Sequence, residues 1–393
     1  MKQQMLSYLS TITDEIFSIS DYILKNGEES YKETSTSSFL SNILKNHGFK
    51  ITNNYLDIPN SFYAEFGNEH PRICLTCDYD VSKEDGDLLA HHINSTISIG
   101  AALLLANAIE SSGHGSVVVI GCSGELKGGS KAIMVKEGAF ENIDIVMSPC
   151  PHVVTAESAS SMASLPIEIN YESIENFYKT KGYYSPLSAS LFTLNGLDTI
   201  INSFEEECYI NSISMNSPVT PHISQIRCSI TFYIKARKMS VLKELESKIH
   251  EFVKYTSKLM NVKSDIHYHE MPSDELKTNA TISRLFSHNL KESGLIKIDP
   301  PRDTHLSLSL GSVSHIVPTI RPFISICEDS SINPYSNEFV KATTSEYTKE
   351  NVLKAIEAFA YTGLDIIERE DLLRESLLEL NSENKKSACH NNG

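Results

Sequence analysis

No stretch of this chain approaches the roughly 20 consecutive apolar residues needed to span a bilayer. The start, Met1-Lys2-Gln3-Gln4, leads into a polar, acidic segment without a small-residue cleavage site, so no secretory leader is expected. Basic charge is scarce: 34 Lys and Arg stand against 50 Asp and Glu, a formal net charge of -16, and no Lys/Arg block stands out. That balance repels phosphate backbones and anionic lipid surfaces, which makes nucleic acid and membranes poor partners and favours a small molecule. Cysteines are thin on the ground as well. The eight, at 74, 77, 122, 150, 208, 228, 327 and 389, are scattered through a long chain, unlike those of short disulfide-stapled domains, and a soluble protein of the reducing cytoplasm is expected. Cys74 and Cys77 have redox or zinc spacing, but they lie in an apolar stretch that reads as a strand. There a spacing of three sends them to opposite faces, so both are read as small core residues.

What is present is enough for a large core. With 393 residues, 40% of them hydrophobic and 21% charged, the chain exceeds one hydrophobic core, and two domains are expected. Residues 1–47 carry helical periodicity, with Leu6, Leu9, Ile12 and Ile16 on one face and Phe39, Leu40, Ile43 and Leu44 before a stop at Gly48. Strand-like stretches follow at 49–53, 61–66 and 73–77, then an apolar helix at 96–109. The stretch 116–121 is apolar throughout, as a strand covered on both faces must be. Ser123-Gly124-Glu125 closes it, a glycine-rich turn follows, and a helix at 130–137 precedes a buried strand at 143–147. This is the α/β rhythm of an open, helix-covered sheet, whose ligands sit at the carboxyl ends of the strands. Asp78, Asp80, Glu125 and the 148–152 loop therefore share one expected rim.

Beyond residue 165 the pattern changes. Stretches at 165–171, 224–236 and 262–269 alternate, while 194–204 and 240–259 are helical. Strand-helix-strand-strand-helix-strand order predicts a small inserted α+β sandwich over 165–271. The α/β pattern then resumes, with helices expected at 281–293 and 351–370, a short strand at 322–326 and a charged, partly disordered tail at 371–393.

Several motifs in this order resemble the M20 metallopeptidases. The likeness is greatest to that family's amidohydrolase branch and to the acylase-like dipeptidases of the aminoacylase-1-like protein 2 type. They are Asn26-Gly27-Glu28-Glu29-Ser30-Tyr31-Lys32-Glu33, Ser61-Phe62-Tyr63-Ala64-Glu65-Phe66-Gly67, Asp78-Tyr79-Asp80, Ile99-Gly100-Ala101-Ala102, Gly138-Ala139-Phe140, Arg227 with Phe232-Tyr233-Ile234-Lys235-Ala236, and the run from Gly311 to Ile320. The resemblance implies a zinc-peptidase-like catalytic domain with a mixed sheet, formed by 1–164 plus 272–393. It also implies that 165–271 is a lid and dimerisation domain, so a homodimer is expected, with the alternating 224–236 strand suited to a sheet edge.

Members of that family use two divalent metals, usually zinc or manganese, to activate water against an amide, with a glutamate as general base. This chain departs from the ligand pattern. The Cys-Gly-His stretch appears as Leu89-Ala90-His91, the adjacent glutamates as Glu125-Leu126, and the next histidine falls in Met147-Ser148-Pro149-Cys150. The histidine before a late proline is Arg321. An arginine offers only donors and stays charged, so Arg321 would repel a divalent ion and could instead polarise a carbonyl or clamp a carboxylate. The lid stretch Lys181-Gly182-Tyr183-Tyr184-Ser185-Pro186 lacks the family's histidine, and the lid's asparagine and arginine correspond to His222 and Arg227.

No metal ligand is assigned and no cofactor is expected. The resemblance implies an enzyme acting on an amide or acyl bond of a small amino-acid-derived or peptide-like substrate in the cleft between the domains. Glu125 and His91 would be catalytic, and Asp78, Asp80, His222, Arg227 and Arg321 would position the substrate. A metal-free condensation, cyclisation or isomerisation remains open. Two rivals also stay open: a non-catalytic binder of a peptide-like ligand or partner, and a hydrolase whose metal site is rebuilt from His91, His152 and the Asp78/Asp80 pair. His92 is read as structural, Ser185 as a loop serine, and His267 with His269 as a solvated pair.

Overall fold

The computed structural model describes residues 1–174, 184–217 and 226–390, and within it the chain divides into two compact units. The first comprises residues 1–160, 276–304 and 312–393; the second comprises 161–275 and 305–311.

The first unit opens with α1 (Lys2–Asn26) and α2 (Thr34–Asn46), followed by β1 (Lys50–Asn53), β2 (Phe62–Gly67) and β3 (Arg72–Asp78). Then come α3 (His91–Ser112), β4 (Ser116–Cys122), α4 (Ser130–Lys136), β5 (Ile145–Met147) and β6 (Cys150–His152). After the second unit it resumes with α7 (Ala280–Glu292), β11 (Thr319–Ile320), β12 (Phe323–Ser325), α9 (Asn337–Ala342), α10 (Glu346–Glu368) and α11 (Glu370–His390). The short α8 (Leu310–Ser314) spans the boundary between the two units.

Its main sheet is mixed, in the order β1-β2-β4-β3-β5-β11. The strands β4, β3, β5 and β11 run parallel, β2 is antiparallel to β4, and β1 is antiparallel to β2. Ile73 to Cys77 and Val117 to Ile120 are buried, as parallel strands covered on both faces require. Helix α3 packs on β3 and β4, and α1 and α10 pack on α3. Gly100 permits that closeness, since a Cβ there would lie 2.6 Å from Ile356 Cδ1. Each fully buried Ile or Leu in this core contributes about 1.5–3 kcal/mol.

Two expectations need correcting here. Helix α3 is longer than 96–109, and by length and composition it could cross a membrane; it is instead a core helix, with 94% of its most apolar window buried. The segment expected to be a partly disordered tail is the helix α11. Its Glu379 accepts from the backbone N–H groups of Ala280 (2.6 Å) and Thr281 (3.0 Å), and Ser376 O accepts from Asn279 Nδ2. A carboxylate at the open N-terminus of α7 supplies acceptors for orphan amides, which gives α11 a fixed seat.

The second unit contains β7 (Ala163–Ser173), α5 (Pro186–Ile201), β8 (Cys208–Asn216), β9 (Arg227–Ala236), α6 (Met239–Met260) and β10 (Val262–Tyr268). These form an antiparallel sheet in the order β10-β7-β9-β8, with α5 and α6 packed on it. Cys228, Ile230, Phe232, Ile234 and Ala236 of β9 are buried together with Leu165, Ile167, Ile169 and Tyr171 of β7, the inward half of each alternation. Helix α5 starts earlier than the expected 194 because Ser185 caps it, its Oγ accepting from Ser188 N at 3.1 Å, and Pro186 occupies the first turn. The 224–236 strand was expected at a sheet edge. It is internal: β8 lies beyond β9, and β8 and β10 are the edges.

Candidate functional site

Adjacent parallel strands bring the carboxyl ends of β3 and β4 together, and Asp78 and Cys122 are register partners there. Helix α3 fixes the end of β3. Asn94 Oδ1 accepts from Asp78 N (2.9 Å), Ser95 Oγ donates to Asp78 O (2.6 Å), and Asn94 Nδ2 reaches across to Pro149 O (2.7 Å).

Past Cys122 the chain turns sharply at Gly124, where φ is +74°. A side chain could not stand at that position, because a Cβ would meet the Tyr31 ring at 2.3 Å. Gly124 N donates to Glu33 Oε1 at 2.8 Å. Glu33 is buried, and burial lifts its pKa from 4.5 to about 7, outweighing the backbone amides that favour the charged form. The turn delivers Glu125, whose Oε1 accepts from Ser130 N (3.0 Å) at the start of α4.

The first turn of α4 also supplies a group that the sequence reading passed over. Lys131 is 2% exposed, and its Nζ lies 2.6 Å from Asp78 Oδ1 and 3.0 Å from Glu125 Oε2. Burial favours the neutral amine, but Asp78, Cys122 and Glu125 together hold the ammonium above the usual lysine range. Without those partners a buried ammonium would cost several kcal/mol. Asp78, Cys122 and Glu125 also offer donor atoms within 4.8 Å of one another, the one such metal-capable group among the described residues. Burial pushes the Cys122 thiol well up, so it is neutral.

A second ion pair lies beside the first. His91, the first residue of α3, places Nδ1 2.9 Å from both the backbone O and Oδ1 of Asp80. Burial opposes the imidazolium, yet Asp80 overrides it and pushes the pKa up to about 10. Asp80 has no exposed surface. Its Oδ2 accepts from Ser30 Oγ (2.7 Å) and Leu126 N (2.8 Å), and despite its burial His91 holds it below the ordinary range. Asp80 thus ties the Glu125-Leu126 turn to His91. Asp78 and Asp80 were expected to act together from one strand face; the strand ends at Asp78, and the two carboxylates take different cations. His92 points elsewhere: its backbone N–H and Nδ1 are held by Asp87 Oδ2, the structural role expected of it.

Arg321 follows β11, where Ser148 N donates to Ile320 O (3.0 Å) and Cys150 N to Pro322 O (3.0 Å). Its guanidinium hydrogen-bonds the Cys150 thiol, whose pKa is nonetheless raised by burial. His152 is stacked on Phe323 with centroids 4.6 Å apart. Burial first, and the Arg321 and Arg302 charges second, push its pKa down to about 4, so it is a neutral ring.

The remaining candidates belong to the second unit. Arg227 is on an exposed position of β9 and binds Glu172 Oε1 through Nε (3.1 Å) and Nη2 (3.0 Å). His222 lies outside the described residues, as does Lys181-Gly182-Tyr183. His267 sits between Glu168 and Asp265. His269 is not the solvated partner expected, since its ring is set edge-on against Tyr233 at 5.1 Å.

Sequence reasoning therefore found Asp78, Glu125, His91 and Arg321 and missed Lys131, Glu33 and Asn94. Lys131 left one trace: it is a lone cation in the first turn of a short helix among small and apolar residues, where the helix dipole disfavours positive charge unless a specific acid receives it.

No protein-family model matches the chain. It is 25% identical over 343 residues to the Xaa-Arg dipeptidase of Mus musculus, covering 81% of this chain and 77% of that protein. It is 23% identical over 253 residues to a p-aminobenzoyl-glutamate hydrolase polypeptide of Escherichia coli strain K12, covering 59% of this chain and 53% of that one. Among solved structures, a dinuclear metal-binding peptidase of the M20 family from Bacillus subtilis superposes with a TM-score of 0.65 at 12% identity, over 91% of this chain and 99% of that one. That last likeness is one of fold.

Proposed function

We propose that this chain, which belongs to the M20 amidohydrolase and peptidase family, hydrolyses the amide bond of a small amino-acid-derived substrate without a metal pair. The two curated relatives bear the names of a dipeptidase and of a hydrolase of an aroyl-amino acid. An amide joining an acyl or aminoacyl group to an amino acid is the bond common to both.

The observation that carries the reading is the Glu125–Lys131–Asp78 cluster at the strand ends. Glu125 takes a proton from water as the water oxygen bonds to the carbonyl carbon, then passes it to the departing amine nitrogen. Lys131 is a positioning residue that neutralises Glu125 and keeps its carboxylate aimed. Arg321 would meet the charge that builds on the carbonyl oxygen. The donors argue against a metal pair. The Asp78, Cys122 and Glu125 group has an ammonium on both carboxylates, His91 is committed to Asp80, and His152 lies flat on Phe323 in the field of two arginines. A reducing cytoplasmic setting suits the seven free thiols among the described residues.

The test is turnover of p-aminobenzoyl-glutamate, N-acetyl amino acids and Xaa-Arg dipeptides, with and without chelator. Wild type should cleave one of these with chelator present, and Glu125→Gln should slow that cleavage by about 10²–10⁴-fold while binding is retained. Equal rates for the two would overturn the role of Glu125. Both Glu125 oxygens already have protein partners, which favours a second reading, a non-catalytic binder of the same ligands. Saturable binding with no turnover of any substrate would select it.

A further inference from the structure

We propose that the Lys131 ammonium is the resident cation of a three-donor pocket formed by Asp78, Cys122 and Glu125, and that its removal turns the pocket into a site for one divalent ion such as Zn²⁺ or Co²⁺. The proposal rests on the reading above that the chain works without a metal pair.

Three features of the structure carry it. The donors are fixed independently of Lys131: Asp78 by the end of β3 and Asn94, Cys122 by the end of β4, and Glu125 by the Gly124 turn and Ser130 N. They converge within 4.8 Å, and a thiolate with two carboxylates is a donor set that zinc and cobalt accept, with water as fourth ligand. The ammonium reaches the centre of this set from α4, at 2.6 Å and 3.0 Å from the two carboxylates, and is itself 2% exposed.

Charge makes the exchange feasible. Two carboxylates, one ammonium and a neutral thiol leave a single net negative charge. Two carboxylates, a thiolate and a divalent ion leave the same, with the thiol proton released on binding. Lys131 and a metal ion are therefore alternatives for one electrostatic role. A divalent ion beside the ammonium would face a like charge at contact distance. This assigns Lys131 a purpose that its position on a helix N-terminus would otherwise oppose.

The experiment titrates Co²⁺ into full-length wild type and Lys131→Ala, reading the thiolate-to-cobalt absorption in the near ultraviolet and the metal content after dialysis against Zn²⁺. Lys131→Ala should hold one ion per chain, gain thermal stability from Zn²⁺, and lose the absorption band when Cys122→Ser is added; wild type should do none of these. If Lys131→Ala does not fold, Lys131→Gln, which keeps length and loses charge, is read in the same way. A folded Lys131 variant that binds no ion, or a wild-type band that Cys122→Ser abolishes, would overturn the proposal. Amide turnover is a separate measurement. A wild type that cleaves no amide sinks the functional reading alone, and a metal-refusing variant sinks this proposal alone.

Discussion

Replacing Glu33 by Gln tests how the turn carrying Glu125 is held. Glu33 Oε1 accepts the Gly124 N–H, while its buried Oε2 has no hydrogen-bond partner among the described residues, and its pKa moves from 4.5 to about 7. Between those values the unfolded chain has released the proton and the folded chain keeps it. Wild-type stability should therefore fall as pH rises through that window and stay low above it, by up to about 3 kcal/mol. Gln keeps the acceptor for Gly124 and cannot ionise, at a cost of about 1 kcal/mol for a buried amide without its own partner. Net, Glu33→Gln should be more stable than wild type by about 2 kcal/mol above neutral pH and slightly less stable near pH 4. Urea denaturation of both proteins at a series of pH values measures the difference, in which every other titrating group cancels. Equal stabilities in alkaline buffer, or a wild type that gains on the variant from pH 5 to 7, would refute the argument.

Three further outcomes are expected. Gly124→Ala puts a methyl group into the Tyr31 ring at a positive φ, so it should cost about 2 kcal/mol or more and misaim Glu125; wild-type stability in urea would contradict this. His91→Ala leaves Asp80 buried without its cation and should destabilise by about 3–5 kcal/mol. Because the His91 pKa rises from 6.5 to about 10, its contribution is full below pH 6.5 and lost through about pH 10, and the variant's stability curve should lack that decline. Glu379→Ala removes the acceptors for Ala280 N and Thr281 N and should cost about 1 kcal/mol, read as faster proteolysis within α11; unchanged cleavage would mean that the contact does not seat the helix.

The elements were legible where burial imposes a period. The all-apolar β4, the alternation of β7 and β9, and the long helix between β3 and β4 each follow from side-chain pattern, and the turn at Gly124 announced a strand end with Glu125 on it. Strand neighbours were less legible. The alternating 224–236 segment has the pattern of a half-buried strand whether or not another strand lies beyond it, so its internal position came only with the pairing to β8. The charged 371–393 segment is polar overall, and its helix owes its seat to Glu379 meeting the amides at the start of α7, a contact spanning 99 residues.

Residue types and spacing determined that this chain builds a helix-covered sheet with an inserted α+β segment, because core formation reads hydrophobicity at short range. They also determined that carboxylates stand where the parallel strands end. Only the tertiary structure decided which cation each carboxylate meets. Lys131 and Asp78 are 53 residues apart and touch because β4 lies against β3 and α4 folds back over both strand ends. Charge pairing in a buried site depends on ångström distances between side chains, and a chain's order along its length does not contain those distances.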